Sequence, residues 1–502
     1  MATTASTPSP KSGTEQVTDP AHGRLSGHMG TAQLVLTVLA FSSPLVCLAG
    51  YFSLTIQTGG TTAPVGFVIV TIVLLVFSVG YVAMTKSMAR PGAFYAYISS
   101  GLGRPLGLAS AFLATLSYTI IGMGVYCFVG LVITDVVARF GGINVPWWVA
   151  AAAAWALIGV LGYFNIEVSS RVLMVIMIIE VGLMLVFDVF VVGRGGDSGL
   201  SLAPFNAGEF FQGHAAVSLL FAMAVFIGFE ATALYRDEVK DPDKTIPRAT
   251  YTAVALIGAL YTFSVWVLVI AFGPSAQQTA ENDAGGMFGI AANRFVGPWF
   301  SDVVNVLVIT AAIAALLSIH NASTRYLFNL GADGALPRFL GTVHARFRSP
   351  ALASVTISLL MFIGLGVFVV NGSDPATLYA QMAGLGNLGI FVLMALVSIA
   401  VIAWFRRPES GSEGNLWSTV LAPALAAAAL IWLVVYSIAN FDLVVGGKPG
   451  ENLGLLVVLA VSFTVGLVTA LVLRARRPTT YQRLGRQDHL LEVVEGAPDG
   501  PA

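Results

Sequence analysis

The sequence predicts an all-α membrane protein of twelve transmembrane helices, on three observations. Of its 502 residues, 56% are hydrophobic and only 10% are charged, against about 25% charged in an ordinary soluble domain. Twelve apolar stretches each approach or exceed the run of about 20 residues that a helix needs to cross the hydrocarbon layer with its backbone groups satisfied internally. Basic residues, finally, collect on alternate sides of those stretches. Such a composition excludes a soluble globular enzyme. The 25 Lys+Arg are matched by 26 Asp+Glu, so no basic surplus is offered to nucleic acid. Membrane lipid is the partner expected for the outer faces.

The stretches run over 34–57, 64–84, 106–138, 146–163, 172–192, 215–235, 249–272, 300–324, 351–370, 377–404, 417–438 and 453–473. Short cytoplasmic loops retain positive charge. With the N-terminus inside, 21 of the 25 Lys and Arg fall on the inner side, leaving Arg139, Arg194, Arg294 and Lys448 outside; without the two tails the ratio is 14 to 4. An even number of spans with both termini cytoplasmic satisfies this bias. The chain divides into a disordered tail (1–32), a transport domain (33–475) and a second cytosolic tail (476–502). The first tail is rich in Thr, Ser, Pro and Gly and carries no apolar run, unlike a signal peptide.

Cys47 and Cys127 both fall inside spans and read as small apolar packing residues rather than a disulfide. No CxxC, HExxH or Gly-rich P-loop is present, so neither a metal nor any other cofactor is expected.

Helices that unwind in mid-membrane free N–H and C=O groups for a substrate. Two spans show the composition for it. In the first, Ser42-Ser43-Pro44 precedes Leu48-Ala49-Gly50; proline removes a donor and glycine lowers helix propensity. In the sixth, Phe226-Ile227-Gly228-Phe229-Glu230 sets a glycine and a carboxylate in mid-membrane. The five-span separation fits inverted repeats over about 34–192 and 215–404, with 417–473 as additional helices. Ordinary membrane helices also tolerate Gly and Pro; two interruptions at corresponding positions favour function.

Three motifs then carry a resemblance. Gly228-Phe229-Glu230 leads to Glu238, Pro242, Ile246-Pro247 and Ala249; Arg325 leads to Asp333-Gly334-Ala335-Leu336-Pro337; and Gly92-Ala93-Phe94-Tyr95-Ala96-Tyr97 precedes the third span. In order and spacing they resemble the amino acid permeases of the amino acid–polyamine–organocation (APC) superfamily over roughly residues 30–475. Here the family's first-helix G-x-G reads Leu48-Ala49-Gly50, Ala93 stands at a second glycine, and Ala332 stands where arginine often precedes Asp-Gly. The resemblance implies the five-plus-five inverted-repeat fold with broken helices 1 and 6, two further helices, and alternating access around an amino-acid site. In that reading the backbone at Leu48, Ala49 and Gly50 receives the substrate carboxylate at the positive end of a half-helix. Carbonyls at Phe226, Ile227 and Gly228 receive its amine.

A charge at bilayer depth costs several kcal/mol, so acids there are functional candidates. Glu230 reads as a residue that takes and releases a proton, as a gate, or as a protonated acid capping the broken helix. Glu180, in the fifth span, reads as a second proton-coupling residue or as a buried packing acid. Asp135, Asp188 and Asp302 fall near outer span ends, where water reaches them. His320 reads as bonded to a neighbouring backbone. Ser318, Ser323 and Thr324 could ligate sodium, but hydroxyls also bond to their own helix, which ranks sodium below the proton. Asn387 could touch substrate or bridge helices. The inner loops serve topology and solvation, with Glu238, Arg325 and Asp333 as additional gate candidates.

The expected function is therefore secondary active uptake of an amino acid or related amine by proton symport. An exchanger of the same fold is the nearest rival, and a non-transporting nutrient sensor a more distant one. Arg outnumbers Lys 20 to 5, which points to a bacterial plasma membrane.

Overall fold

A computed structural model describes residues 29–88, 93–164, 170–213, 215–230, 232, 239–344, 346–347, 349–407, 414–445, 450 and 452–484. Most of both expected tails, together with Gly92, Arg236 and Glu238, lies outside the described residues. Within them the chain is helical, apart from turns and an isolated parallel bridge between Met29 and Val239.

The helices follow in order: α1 (Thr31–Ser42), α2 (Pro44–Val46), a π-helical turn (Cys47–Tyr51), α3 (Phe52–Gly59), α4 (Ala63–Ser87), α5 (Phe94–Leu102), α6 (Arg104–Gly141), α7 (Trp147–Tyr163) and α8 (Ser170–Gly193). The short α9 (Ala207–Phe210) precedes α10 (Ala215–Ala224) and α11 (Pro242–Phe272). Two surface helices, α12 (Ala276–Asn282) and α13 (Met287–Phe295), lead to α14 (Pro298–Ala332), α15 (Ala351–Val370) and α16 (Pro375–Phe405). The chain closes with α17 (Ala422–Ala439), α18 (Phe441–Val445), α19 (Leu453–Arg476) and α20 (Pro478–Arg483).

All the stretches expected from hydropathy carry helix. Among the described residues nine helical runs are long and apolar enough to cross a membrane, the first of which, Thr31–Ser87, covers two expected stretches. Trp147–Tyr163 is shorter, and the stretch from 215 holds 10 helical residues before the chain turns. Several helices outrun their apolar core: α11 and α14 begin at Pro242 and Pro298, where a missing N–H and a preset φ suit the first turn.

The long helices pack around α6, which meets α16, α14 and α19, while α11 lies along α4 and beside α8 and α1. Their inner faces form one apolar core. The outer faces of α15 and α19 remain apolar and uncovered: Phe362, Ile363, Val461 and Val468 are 46%, 62%, 52% and 50% exposed. Surfaces of that size on a soluble protein would aggregate; against acyl chains they are solvated.

Arg407, just past α16, ties down the end of α5: its guanidinium donates to the carbonyls of Ser100 and Gly101 at 2.7 and 2.8 Å. A cation at a helix C-terminus satisfies orphan carbonyls and opposes the negative dipole end. Arg407→Ala should lower stability by about 1 kcal/mol, read as a reduced thermal midpoint in detergent, with Arg407→Lys closer to the parent.

Candidate functional site

The first transmembrane run is broken at Ser43, which has φ 45° and ψ 81°, a left-handed conformation. For a residue with a Cβ this costs roughly 1–2 kcal/mol. Pro44 follows and has no N–H for the helix before it, so α1 stops and a new helix starts. The freed groups are met by side chains. Glu180 of α8 accepts from the Leu45 N–H at 3.3 Å and from the Ser43 hydroxyl at 3.4 Å, so its carboxylate caps the second half of the broken helix. Ser42 donates to the carbonyl of Val225 at 2.7 Å and lies 2.6 Å from the Tyr261 hydroxyl. Cys47 Sγ donates to the Ser42 carbonyl at 2.9 Å.

The second break follows α10. Residues 225–228 turn, with Phe226 and Ile227 donating three residues back to Met223 and Ala224 at 3.1 and 3.2 Å. Gly228 has φ 110°, a conformation L side chains rarely adopt. Its N–H points to Glu230 Oε2 at 2.8 Å, while Oε1 accepts from Tyr118 at 2.8 Å. Tyr81 donates to the Glu230 carbonyl at 2.7 Å. Because Ser42 bonds to Val225, the two breaks are fastened to each other inside the protein.

Beside Glu230 a narrow crevice, without room for a water molecule, runs between Leu74, Met223, Phe226, Ile227, Phe229, Ile390, Phe391 and Met394. Its walls are apolar and aromatic, and Glu230 is the one ionisable residue among them. Tyr118 stacks on Tyr326 with ring centres 5.7 Å apart, adding aromatic surface above the carboxylate.

The expected carboxylate-binding residues are placed one turn away from the break itself. Leu48, Ala49 and Gly50 lie buried in the π-helical turn, not in unwound chain; Pro44 sets the break earlier, and the N–H held out there is that of Leu45. Gly50 faces neighbouring helices rather than lipid: a β-carbon placed on it would lie 2.6 Å from the Tyr379 hydroxyl and 3.4 Å from the Phe128 ring. Phe226 and Gly228 are buried at the second break, and Ile227 is half-buried.

Other expectations resolve individually. Asp188 is 0% exposed rather than solvated, because α11 packs over it and Ser264 donates to its Oδ2 at 2.6 Å. Asp135 is exposed, and Asp302 pairs with Arg139 at 2.6 Å. His320 meets the Ser354 hydroxyl at 2.9 Å, a side chain rather than a backbone group. Ser318 and Ser323 donate to their own helix, to Ala314 and Ile319, each at 3.0 Å. Asn387 bridges helices through Tyr51 at 3.5 Å. Both cysteines are buried and free. Among the described residues no group of three or more His, Cys, Asp or Glu could hold a metal ion. The capping of helix 1 by Glu180, and the roles of Tyr118, Tyr261 and Ser264, were not legible in the sequence, where hydroxyls carry no signal of their partners.

Gly50→Ala should cost about 1–3 kcal/mol through overpacking against Tyr379. That hydroxyl is buried without a partner among the described residues, so Tyr379→Phe costs little alone and should restore most of the loss in the double variant, as measured by thermal unfolding in detergent.

Comparison with known proteins agrees with this geometry. The family described as amino acid permease matches residues 33–473. The low-affinity putrescine importer PlaP of Escherichia coli K12 is 22% identical over 415 residues, covering 80% of this chain and 86% of the relative. The L-asparagine permease of Salmonella typhimurium is 23% identical, covering 75% and 76%. The aromatic amino acid transport protein AroP of Escherichia coli O6:H1 is 23% identical, covering 73% and 80%. A match over nearly the whole helical region, on a chain with two fastened helix breaks, has one reading: the protein belongs to the amino acid permease family of the APC superfamily.

Proposed function

We propose that this multi-pass membrane protein takes up an amino acid or related amine across a bacterial plasma membrane together with a proton, by alternating access, with both termini cytoplasmic. Residues 34–192 and 215–404 form the inverted repeats of this reading, and 417–473 the additional helices. The names of the relatives, a putrescine importer, an asparagine permease and an aromatic amino acid transport protein, support a substrate bearing an amine.

The observation that carries the proposal is the Glu180 carboxylate on the N–H of Leu45. A helix start attracts anions, and here an internal carboxylate takes that place. Protonation of Glu180 removes its charge and weakens its hold. The N–H is then released to a substrate carboxylate, which settles beside Leu48, Ala49 and Gly50. Carbonyls at Phe226, Ile227 and Gly228 take the amine across the second break. One proton thus makes room for one zwitterion, a physical link between the two fluxes. Glu230, held by Tyr118 and Gly228, adjoins the substrate and acts as gate or second proton site.

Purified protein in liposomes tests this directly. Uptake should rise when the outside is made more acid than the lumen. Glu180→Gln, fixed in the uncharged form, should keep counterflow while losing at least tenfold of the gradient-driven rate. Glu230→Gln should flatten the pH dependence of transport at unchanged protein abundance. Counterflow in the parent protein with no response to an imposed pH gradient would replace symport by exchange.

A further inference from the structure

Among the buried acids that the mechanism above leaves unused, one lies within a spanning helix. Asp188 of α8 is 0% exposed; its Oδ2 accepts from Ser264 of α11 at 2.6 Å, and among the described residues its Oδ1 has no partner. An ionisable side chain at such depth is costly to keep, and packing alone would be served by an apolar residue of similar size.

Its position gives it a use. Asp188 follows Glu180 by eight residues, about 12 Å along the same helix. On α11, Ser264 follows Tyr261 by three residues, so the two share a face. Side chains lean toward the helix N-terminus, which carries the Tyr261 hydroxyl away from Ser264 and down to Ser42, 2.6 Å away. Ser43, the next residue, reaches Glu180. The outer ends of α8 and α11 meet where the Asp197 N–H donates to the Ile270 carbonyl at 2.9 Å, a short distance beyond Asp188. In an otherwise apolar interface, polar groups therefore form two rungs, Asp188 with Ser264 and Glu180 with Ser43, Ser42 and Tyr261 between them.

The groups facing this track are few. Helices α1 and α2 and the π turn bring the Ser42 and Ser43 hydroxyls, the Cys47 thiol and, further along, Tyr51. Helix α11 brings Ser264 and Tyr261. Helix α13 brings the Phe288 ring, 5.0 Å from Phe187, while its Arg294 is drawn to Asp197. On α14, Asp302 pairs with Arg139 and His320 with Ser354; Arg325 lies toward the other end of that helix. Among the described residues no ion pair reaches Asp188 or Glu180.

We infer that Asp188 is the outer proton-loading residue of the transporter, passing its proton along the α8–α11 interface to Glu180. The inference rests on the proton-symport reading and on its orientation. A hydronium ion on the outer side gives its proton to Asp188 Oδ1, leaving water and a neutral acid. The acid then returns to carboxylate as the proton moves inward by the Ser264, Tyr261, Ser42 and Ser43 hydroxyls, with water admitted when the outer side opens bridging Ser264 to Tyr261 and Ser42 to Ser43. Each hydroxyl accepts one proton and gives up another, so none changes; the net result is one proton moved from Asp188 to Glu180.

The test uses the full-length protein in liposomes with a trapped pH dye, reading substrate uptake under an acid-outside gradient, proton influx and counterflow. Asp188→Asn is near isosteric and should lower gradient-driven uptake and proton influx at least fivefold while counterflow stays within twofold of the parent. Ser264→Ala, which keeps the carboxylate but removes its donor, should give an intermediate loss and serves in place of Asp188→Asn should that variant not fold. Equal losses in driven uptake and counterflow would make Asp188 a packing residue and overturn the inference. Undiminished driven uptake in both variants overturns it too, while leaving symport intact. A parent protein that exchanges substrate without any gradient response overturns symport and the inference together.

Discussion

The structure depends on one constraint: in lipid, each backbone N–H or C=O taken out of a helix must find another partner within the protein. Both helix breaks show how it is met. Ser43 and Pro44 interrupt the first run, and Glu180 takes up the Leu45 N–H from another helix, while Ser42, at the end of that run, meets the Val225 carbonyl of the second break. Gly228 turns the second, and the carboxylate of Glu230 takes up its N–H. The acids are consequently structural and chemical at once. A carboxylate that satisfies the backbone is also one that a proton can detach from it, so the groups that make unwinding affordable are those able to reverse it.

That dual role ties the breaks into a single unit. Ser42 joins the end of α1 to the carbonyl of Val225, and Tyr261 stands against the same hydroxyl. Glu180 accepts from Ser43, and Ser42, its neighbour in the chain, holds the second break, so the acid and both breaks are joined by hydrogen bonds and one peptide link. On the far side, Tyr118 and Tyr81 hold Glu230 by its carboxylate and its carbonyl. Family membership, shown by the match over residues 33–473, gives this arrangement its context among permeases.

The helices were legible because a lipid-spanning segment has to be apolar for a set length. Their ends were not: hydropathy marks the hydrocarbon, whereas α11 and α14 extend beyond it to Pro242 and to Ala332. The breaks were legible from Ser42-Ser43-Pro44 and from Gly228, yet the first fell at Ser43 and not at Leu48-Ala49-Gly50, since proline's absent N–H acts at its own position while glycine merely permits. Asp188 misled for a related reason. Depth along a helix can be counted from sequence, but whether a neighbour covers the side chain depends on α11, remote in the chain. Glu180 stood out as an unpaired intramembrane acid; its partner Leu45 N–H did not, because a backbone donor has no sequence signature.

The π-helical turn at Cys47–Tyr51 bears on how such a molecule can move. Five residues wound this way hold one more than the α form needs, a small reserve of slack between the break and α3. Rewinding it as α-helix would rotate everything beyond by about 100° and slide it about 1.5 Å. Tyr51 would then swing off Asn387 and Gly50 out from beneath Tyr379, loosening that corner without any hinge in the flanking helices, much as a watch spring takes up a single click.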